Sequence, residues 1–338
     1  MFKNKVVLVT GGTGSFGNQI VEKLIPYSPK EIRIFSRDED KQFKMAIKLK
    51  MAHLYPINDP FRFYIGDVRD RDALMHAARG VDVVFNAAAL KQVPSCEYHV
   101  IEAVNTNIIG AQNVIEAAIE NKVKKVIAIS TDKAVKPVNC MGMTKAIQEK
   151  LFTTANLNVE NGGTVFTCVR YGNVVGSRGS VIPHFKEQIL KGEDVTITDE
   201  RMTRFVLTLP EAIDLVFKAY QISVGGEVFI PRIPALKIID LAEVMTQKLS
   251  VKKKIKIKKI GIRPGEKIHE ILISEAESVR SKILDDDTFV ILPQIQLNKT
   301  KENYKKRKKV EFDEFGSNTA RLLDQYQIKK LLKGTNWL

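Results

Sequence analysis

The chain is 338 residues long, with 44% hydrophobic and 27% charged residues and a formal net charge of +14. These proportions describe a soluble globular protein of about two domains with ample material for a core, and no apolar run nears the ~20 residues that a membrane span requires. Three cysteines, Cys96, Cys140 and Cys168, are odd in number and spaced for neither a disulfide framework nor a zinc site, so buried free thiols and no metal are expected. The opening MFKNKVVLVTGG has too short an apolar run for a signal peptide, which points to a cytoplasmic protein with no membrane anchor.

Lys5–Thr10 is a short apolar run ended by glycines and reads as the first strand. Gly11, Gly14 and Gly17 follow at the spacing G-x-x-G-x-x-G, ahead of the amphipathic stretch Gln19–Ile25. Such glycines permit a tight turn and a close approach of backbone to a pyrophosphate. The helix that follows offers amide donors and the positive end of its dipole. Strand, turn and helix in this order point to a dinucleotide site made by Gly11, Thr13, Gly14, Ser15, Phe16 and Gly17.

The second strand, Ile32–Ser36, leads into Arg37-Asp38-Glu39-Asp40-Lys41. An acidic residue here would take the ribose hydroxyls of NAD. Ser36, Arg37 and Lys41 suit a 2′-phosphate instead, so NADP is expected, with Asp38 on the ribose as the alternative. Phe61–Ile65 is followed by Asp67 and Val68, which suit an adenine contact. Val81–Asn86 is followed by Ala87 and Ala88, whose small side chains let backbone approach a cofactor. Either pair could be turn chemistry alone.

Lys125–Ser130 and Val165–Arg170 complete the strands, and Gln42–Leu54, Ala73–Ala78, Glu102–Asn121 and Lys145–Leu157 read as helices. The alternation predicts an α/β, Rossmann-type doubly wound parallel sheet over residues 1–174. Ligands bind beyond the carboxyl ends of such strands, which sets Thr131, Asp132 and Lys133 over a nicotinamide. Met141 and Lys145 are four apart and share a helix face. Lys145 can hold the nicotinamide ribose and lower the pKa of a neighbouring proton acceptor.

Beyond residue 174 the segments shorten and Pro and Gly become frequent, which predicts a smaller α+β portion over 175–338. VKKKIKIKK, which ends at Lys259, alternates and reads as an edge strand with Ile255 and Ile257 inward and its lysines in water. No nucleic-acid motif accompanies this charge, so neither nucleic acid nor membrane is expected as a partner. Lys305–Lys309 lie in a polar tail with one amphipathic stretch near Leu322–Leu332.

Residues 1 to about 290 resemble the soluble UDP-N-acetylglucosamine 4,6-dehydratases that invert C5, members of the extended short-chain dehydrogenase/reductase family. The matching stretches are GGTGSFG, FSRDE, IGDVRD, AAALKQVP, STDKA, RYGNVVGSRGSVIP, MTRF and IRPGEK. The resemblance implies tightly bound NADP that is regenerated in each turnover, a UDP-sugar substrate, and a homo-oligomer, often a hexamer. It implies a 6-deoxy-4-keto sugar product for capsules, O-antigens or nonulosonic acids. It gives Asp132 the role of acid at the departing C6 hydroxyl and Lys133 that of base at C5. It puts Lys91, Asn173, Ser180, Val181, Arg204, Arg263 and Glu266 around the UDP-sugar, with Lys91 equally readable as a surface lysine.

Met141 departs from the pattern, because a tyrosine usually stands there as the base for the O4 proton. A thioether can neither accept nor relay that proton. Some of these enzymes also carry Met here, and Asp132, Thr131 or a water held by Lys145 is then the candidate acceptor. The alternatives are a UDP-hexose 4-epimerase, a dehydratase that retains C5, and a non-catalytic protein that binds NADP and a UDP-sugar.

Overall fold

The structure, a computed structural model, describes residues 1–49, 60–159, 163–177, 179–250, 255–295 and 297–338. Six strands come from the first half: β1 (Val6–Thr10), β2 (Glu31–Ser36), β3 (Phe61–Ile65), β4 (Val83–Asn86), β5 (Lys125–Thr131) and β6 (Val165–Tyr171). Three more come from the second half: β7 (Val228–Pro231), β8 (Ser281–Asp285) and β9 (Thr288–Ile291). They form one nine-stranded sheet in the order β8-β9-β7-β6-β5-β4-β1-β2-β3. From β3 to β7 every pairing is parallel, and β8 and β9 add an antiparallel edge. This is the Rossmann-type doubly wound sheet that the alternation predicts.

The strands are apolar runs because helices cover both faces. Val7 and Val9 pack on one side with Ile20, Ile34 and Phe217, while Val6 and Leu8 pack on the other with Val84, Val114 and Ala117. The two-residue period of a strand sends alternate side chains to opposite cores. The chain runs outward from β1 to β3, then crosses back to β4 and runs the other way. That reversal opens a crevice at the carboxyl ends of β1 and β4.

Helix boundaries lie within a few residues of the expected ones, and the helix expected to carry Met141 and Lys145 on one face runs over Cys140–Thr154. That helix begins at Cys140, because Asn139 caps it: its Oδ1 accepts from the Gly142 N–H at 2.8 Å. The stretch expected at Gln42–Leu54 is a helix over Glu39–Lys48, and residues 50–54 lie outside those described. The Glu102–Asn121 stretch is helical but loosens into a π-helical turn at Asn105–Ile109. There Asn107 reaches the backbone of Leu90 and the hydroxyl of Thr144, which anchors the chain beside the crevice.

A third core lies beside the sheet, formed by Ile182, Phe185, Val195, Met202, Leu236, Leu241 and Met245. Ile257–Lys259 pairs here with Val195–Ile197, with Ile255 buried and Lys256, Lys258 and Lys259 exposed, as alternation predicts for an edge strand. Lys252–Lys254 lie outside the described residues. The C-terminal stretch is less peripheral than its composition suggests. Phe315–Gly316 pairs with Ile271–Ile273, and the helix Gln325–Gly334 buries Ile328 and Leu332 in the third core. Two apolar residues one turn apart suffice to dock an otherwise polar helix. Among the described residues, no helix is long and apolar enough to cross a membrane.

Arg170 binds these parts together. Its side chain is 2% exposed. It pairs with Glu149 on the Cys140–Thr154 helix and with Glu277 at 2.8 Å, and donates to the Leu272 carbonyl at 2.8 Å. Ser130 on β5 donates to the same Glu149 at 2.7 Å. Burial pushes the Glu277 carboxyl up, but Arg170 and Ser274 outweigh it and bring it down to about 2. Because the folded value is lowered, this contribution is complete above the unfolded value of about 4.3 and is lost as pH falls towards 2. Arg170→Ala removes the buried guanidinium from both carboxylates, leaving Glu149 with Ser130 and Glu277 with Ser274 and a 3.8 Å contact to Arg280. Urea denaturation at pH 7 is expected to show a loss of about 3–5 kcal/mol.

Candidate active site

One cleft of about 1220 Å³ runs from the glycine turn after β1 to the segment Arg263–Glu270. Every candidate residue named from the sequence lines it, although the candidates come from both halves of the chain.

At the glycine turn, Gly11 has φ +64°, and a Cβ there would come within 2.9 Å of the Ala88 backbone. A Cβ on Gly17 would come within 2.4 Å of the Gly12 carbonyl oxygen, so the helix starts hard against the turn. Gly14 is the N-cap of the helix Ser15–Leu24 and supplies no side-chain cap. The first amides of that helix thus face the cleft beside Thr13, Ser15 and Phe16 without a side-chain partner. A tight turn, a close backbone approach and unclaimed amides fit a dinucleotide's pyrophosphate.

Past β2, Ser36 Oγ lies 2.7 Å from Thr13 Oγ1. Asp38 is spent on its own helix, capping the Lys41 N–H at 3.0 Å and pairing with the Lys41 ammonium. That pairing holds its carboxyl below the ordinary value. Arg37 is half-exposed and reaches Asp67 at 3.3 Å. Asp67 is gripped by Arg69 at 2.7 Å, next to buried Val68. Ala87 and Ala88 line the cleft opposite the glycine turn.

At the end of β5, Asp132 is fully buried. Its Oδ1 accepts from the Thr131 hydroxyl at 2.8 Å and from Lys133 Nζ at 3.1 Å. Its Oδ2 is buried with no hydrogen-bond partner. Burial pushes the Lys133 ammonium down, but Asp132 and Glu270 outweigh it and hold the group above its ordinary value. Lys145 is buried, with Nζ on the Ile129 carbonyl at 2.6 Å and on Gln148. Burial brings its ammonium down to about 8. Met141, 3% exposed, packs with Cys96 and Ala103 while also lining the cleft.

At the far end, Ser180 is the N-cap of the helix Val181–Leu190 without a side-chain cap bond. Ser180 Oγ and Asn173 Oδ1 are buried and unpartnered. Together with Thr106 Oγ1, Asp132 Oδ2 and Glu270 Oε2, they bring five of the seven buried unpartnered side-chain atoms among the described residues into this one cleft. Buried polar atoms ordinarily find partners, so the concentration marks where a polar ligand belongs. Arg204 donates to the carbonyls of Thr203, Ile268 and Lys267 at 2.8, 3.0 and 2.9 Å, and so organises the opposing wall. Arg263 and Lys91 are exposed at the rim, and Glu266 accepts from the Arg263 N–H at 3.3 Å.

Three contributors escape sequence reasoning. Glu270, 3% exposed, lies 3.7 Å from Lys133 Nζ, with Lys267 beside it. Asn139 donates to the Gly265 carbonyl at 2.8 Å and ties the Cys140–Thr154 helix to the opposing wall. Trp337 lies on Gly176, where a Cβ would meet its indole. Only Asn139 carried a local signal, as a helix-capping residue type ahead of an amphipathic stretch.

The family described as polysaccharide biosynthesis protein matches residues 7–291. The chain belongs to this family. Pen from Bacillus thuringiensis, an X-ray structure, is 39% identical with a TM-score of 0.91, covering 100% of this chain and 99% of that one. A UDP-glucose 4-epimerase of Rickettsia akari is 44% identical over 98% of this chain and 96% of its own length. An uncharacterized membrane protein of Methanocaldococcus jannaschii is 45% identical over 100% of this chain and 98% of its own.

Gly17→Ala tests the turn. Overpacking against Gly12 is expected to weaken dinucleotide binding by ~10-fold or more in calorimetric titration, with cooperative thermal unfolding retained.

Proposed function

We propose that this chain is an NADP-dependent 4,6-dehydratase of UDP-N-acetylglucosamine that inverts C5 and releases a UDP-linked 6-deoxy-4-keto sugar. The observation that carries this reading is the Asp132–Lys133 pair at the end of β5, with Asp132 buried, one of its carboxylate oxygens unpartnered in the cleft, and Lys133 reaching it from the cleft side. A bound NADP would supply reversible hydride transfer between sugar C4 and C6. Ser36, Arg37 and Lys41 would hold its 2′-phosphate, since Asp38 is occupied with its own helix.

The 4-ketone acidifies the C5 proton, and elimination then needs a neutral amine and a protonated carboxyl. At rest the pair is the reverse, with Lys133 held charged by its two carboxylates. One proton passing over the 3.1 Å between Lys133 Nζ and Asp132 Oδ1 yields both required forms. A substrate covering the pair excludes water and favours the neutral form over the ion pair. Lys133 then takes the C5 proton, and Asp132 gives its proton to the departing C6 hydroxyl. A solvent proton delivered to C5 on the face opposite Lys133 inverts it, and the proton that Lys133 took passes to solvent before the next turnover. The Thr131 hydroxyl orients Asp132 by bonding Oδ1, which leaves Oδ2 for the substrate.

Met141 carries no proton, so Asp132, Thr131 or a water held by Lys145 takes the O4 proton. On the substrate side, the Ser180 hydroxyl, the Val181 amide at the helix start and the side chains of Asn173 and Arg263 suit the diphosphate, and Glu266 suits ribose hydroxyls. Arg204 supports them through the Lys267 and Ile268 carbonyls, and Lys91 stands at the sugar end of the rim. The same reading carries a homo-oligomer that works in the cytoplasm.

A 4-epimerase is the second reading, because relatives 43–44% identical over nearly the whole chain bear that name. Met141 weighs against it, since an epimerase moves the O4 proton in both directions. Proton NMR of UDP-N-acetylglucosamine with the protein in D₂O separates the two. A new C6 methyl signal with deuterium at C5 is expected, and Lys133→Ala is expected to lower its rate of appearance by ~10²-fold or more. UDP-N-acetylgalactosamine without a methyl signal means the epimerase. Met141→Tyr is expected to raise the rate by less than ~100-fold; a larger gain means that no other group fills the phenol's role.

A further inference from the structure

Lys133 is flanked by two carboxylates, and the dehydratase reading uses only Asp132. Glu270 arrives from the opposite wall. Its Oε1 lies 3.7 Å from Lys133 Nζ and 3.8 Å from Arg204 Nε, and its Oε2 lies 3.9 Å from Lys267 Nζ. These are charge contacts longer than hydrogen bonds, and Oε2 has no hydrogen-bond partner at all. The backbone around it is clamped: the Glu270 N–H donates to Ser317 Oγ at 2.9 Å, and the Ser317 N–H donates to the Glu270 carbonyl at 2.8 Å. A carboxylate so buried persists only beside cations, and three surround it.

We propose that Glu270 is a positioning residue: it holds the Lys133 ammonium beside Asp132 and keeps in place the proton that the pair shares. The inference rests on the dehydratase reading of that pair. The charged groups that face Lys133 are Asp132, Glu270 and Arg204, with Lys267 beyond Glu270. Without Glu270, Lys133 meets Arg204 and Lys267 with Asp132 as its sole counter-charge. The ammonium is then easier to deprotonate, and nothing on the far wall draws it across the cleft. The pair loses its last proton at lower pH, so the alkaline limb of activity moves down. A counter-ion that merely stabilises Arg204 and Lys267 alters thermal stability and leaves the titration of Lys133 where it is.

Glu270→Gln in the full chain tests this with two readouts. The first is acetylation of Lys133 as a function of pH, followed by mass spectrometry; the side chain is 26% exposed and within reach of a small reagent. The second is kcat/KM for keto-sugar formation as a function of pH. The labelling midpoint is expected to fall by about one pH unit or more, with the alkaline limb following it. A fall in kcat of ~10-fold is expected from the misplaced amine. An unmoved labelling midpoint in the folded variant overturns the proposal. If Glu270→Gln does not fold, Glu270→Asp carries the test: a lower midpoint supports the proposal, and an unchanged or higher one overturns it. A labelling shift in a chain whose unmodified form makes no keto sugar refutes the dehydratase reading and leaves the Glu270–Lys133 coupling standing. Keto-sugar formation with no labelling shift refutes the coupling alone.

Discussion

The buried Arg170 guanidinium is the constraint on which the rest of the structure depends. It sits at the end of β6 and reaches Glu149, Glu277 and the Leu272 carbonyl. Glu149 belongs to the helix that carries Met141 and Lys145, and through Ser130 it also touches the last turn of β5 before Asp132. Leu272 and Glu277 lie just past Glu270. One side chain therefore sets the mutual register of β5, the Cys140–Thr154 helix and the wall that faces Lys133. Desolvating three charges is costly, and the planar fork of Arg offsets that cost by satisfying five acceptor atoms at once.

The cleft follows from topology and is tuned by charge. The reversal of strand order between β1 and β4 opens it, and the carboxyl ends of β1, β2, β4, β5 and β6 all empty into it. One end is built for anions from backbone amides, where Gly11 and Gly17 exclude side chains. The middle holds the opposed charges of Asp132, Lys133, Glu270, Lys267 and Arg204, and apolar Met141 lines the same cleft. Family membership and this geometry agree on a dehydratase- or epimerase-like nucleotide-sugar enzyme, and in the proposed reading the Asp132–Lys133 pair is what favours elimination over simple epimerisation. The third core completes the cleft by holding the helix Val181–Leu190 against Val195, Met202 and Leu236.

Much of the fold was legible because its signals are local. Apolar runs of five to seven residues alternating with amphipathic stretches specify a parallel sheet, since only strands buried on both faces lack polar alternation. The helix that carries Met141 and Lys145 starts at Cys140 because Asn139 caps it, a signal that lies outside the amphipathic stretch Lys145–Leu157. The amphipathic stretch near Leu322–Leu332 is the helix Gln325–Gly334, and only the third core shows what Ile328 and Leu332 dock against. Trp337 was silent for the same reason: its partner is Gly176, distant in the chain.

The sequence by itself determined the glycine turn, the Thr131-Asp132-Lys133 set at a strand end, the loss of a phenol at Met141, and the Ser36, Arg37 and Lys41 cluster. Each depends on neighbours within a few residues, where spacing alone dictates geometry. Tertiary structure alone decided that Asp38 caps its helix, that Arg204 grips the Lys267–Ile268 backbone, that Arg170 joins Glu149 to Glu277, and that Glu270 stands across from Lys133. A charged residue leaves no periodic trace of its partner, and which carboxylate meets which cation is settled only when sheet order and loop closure bring remote segments together.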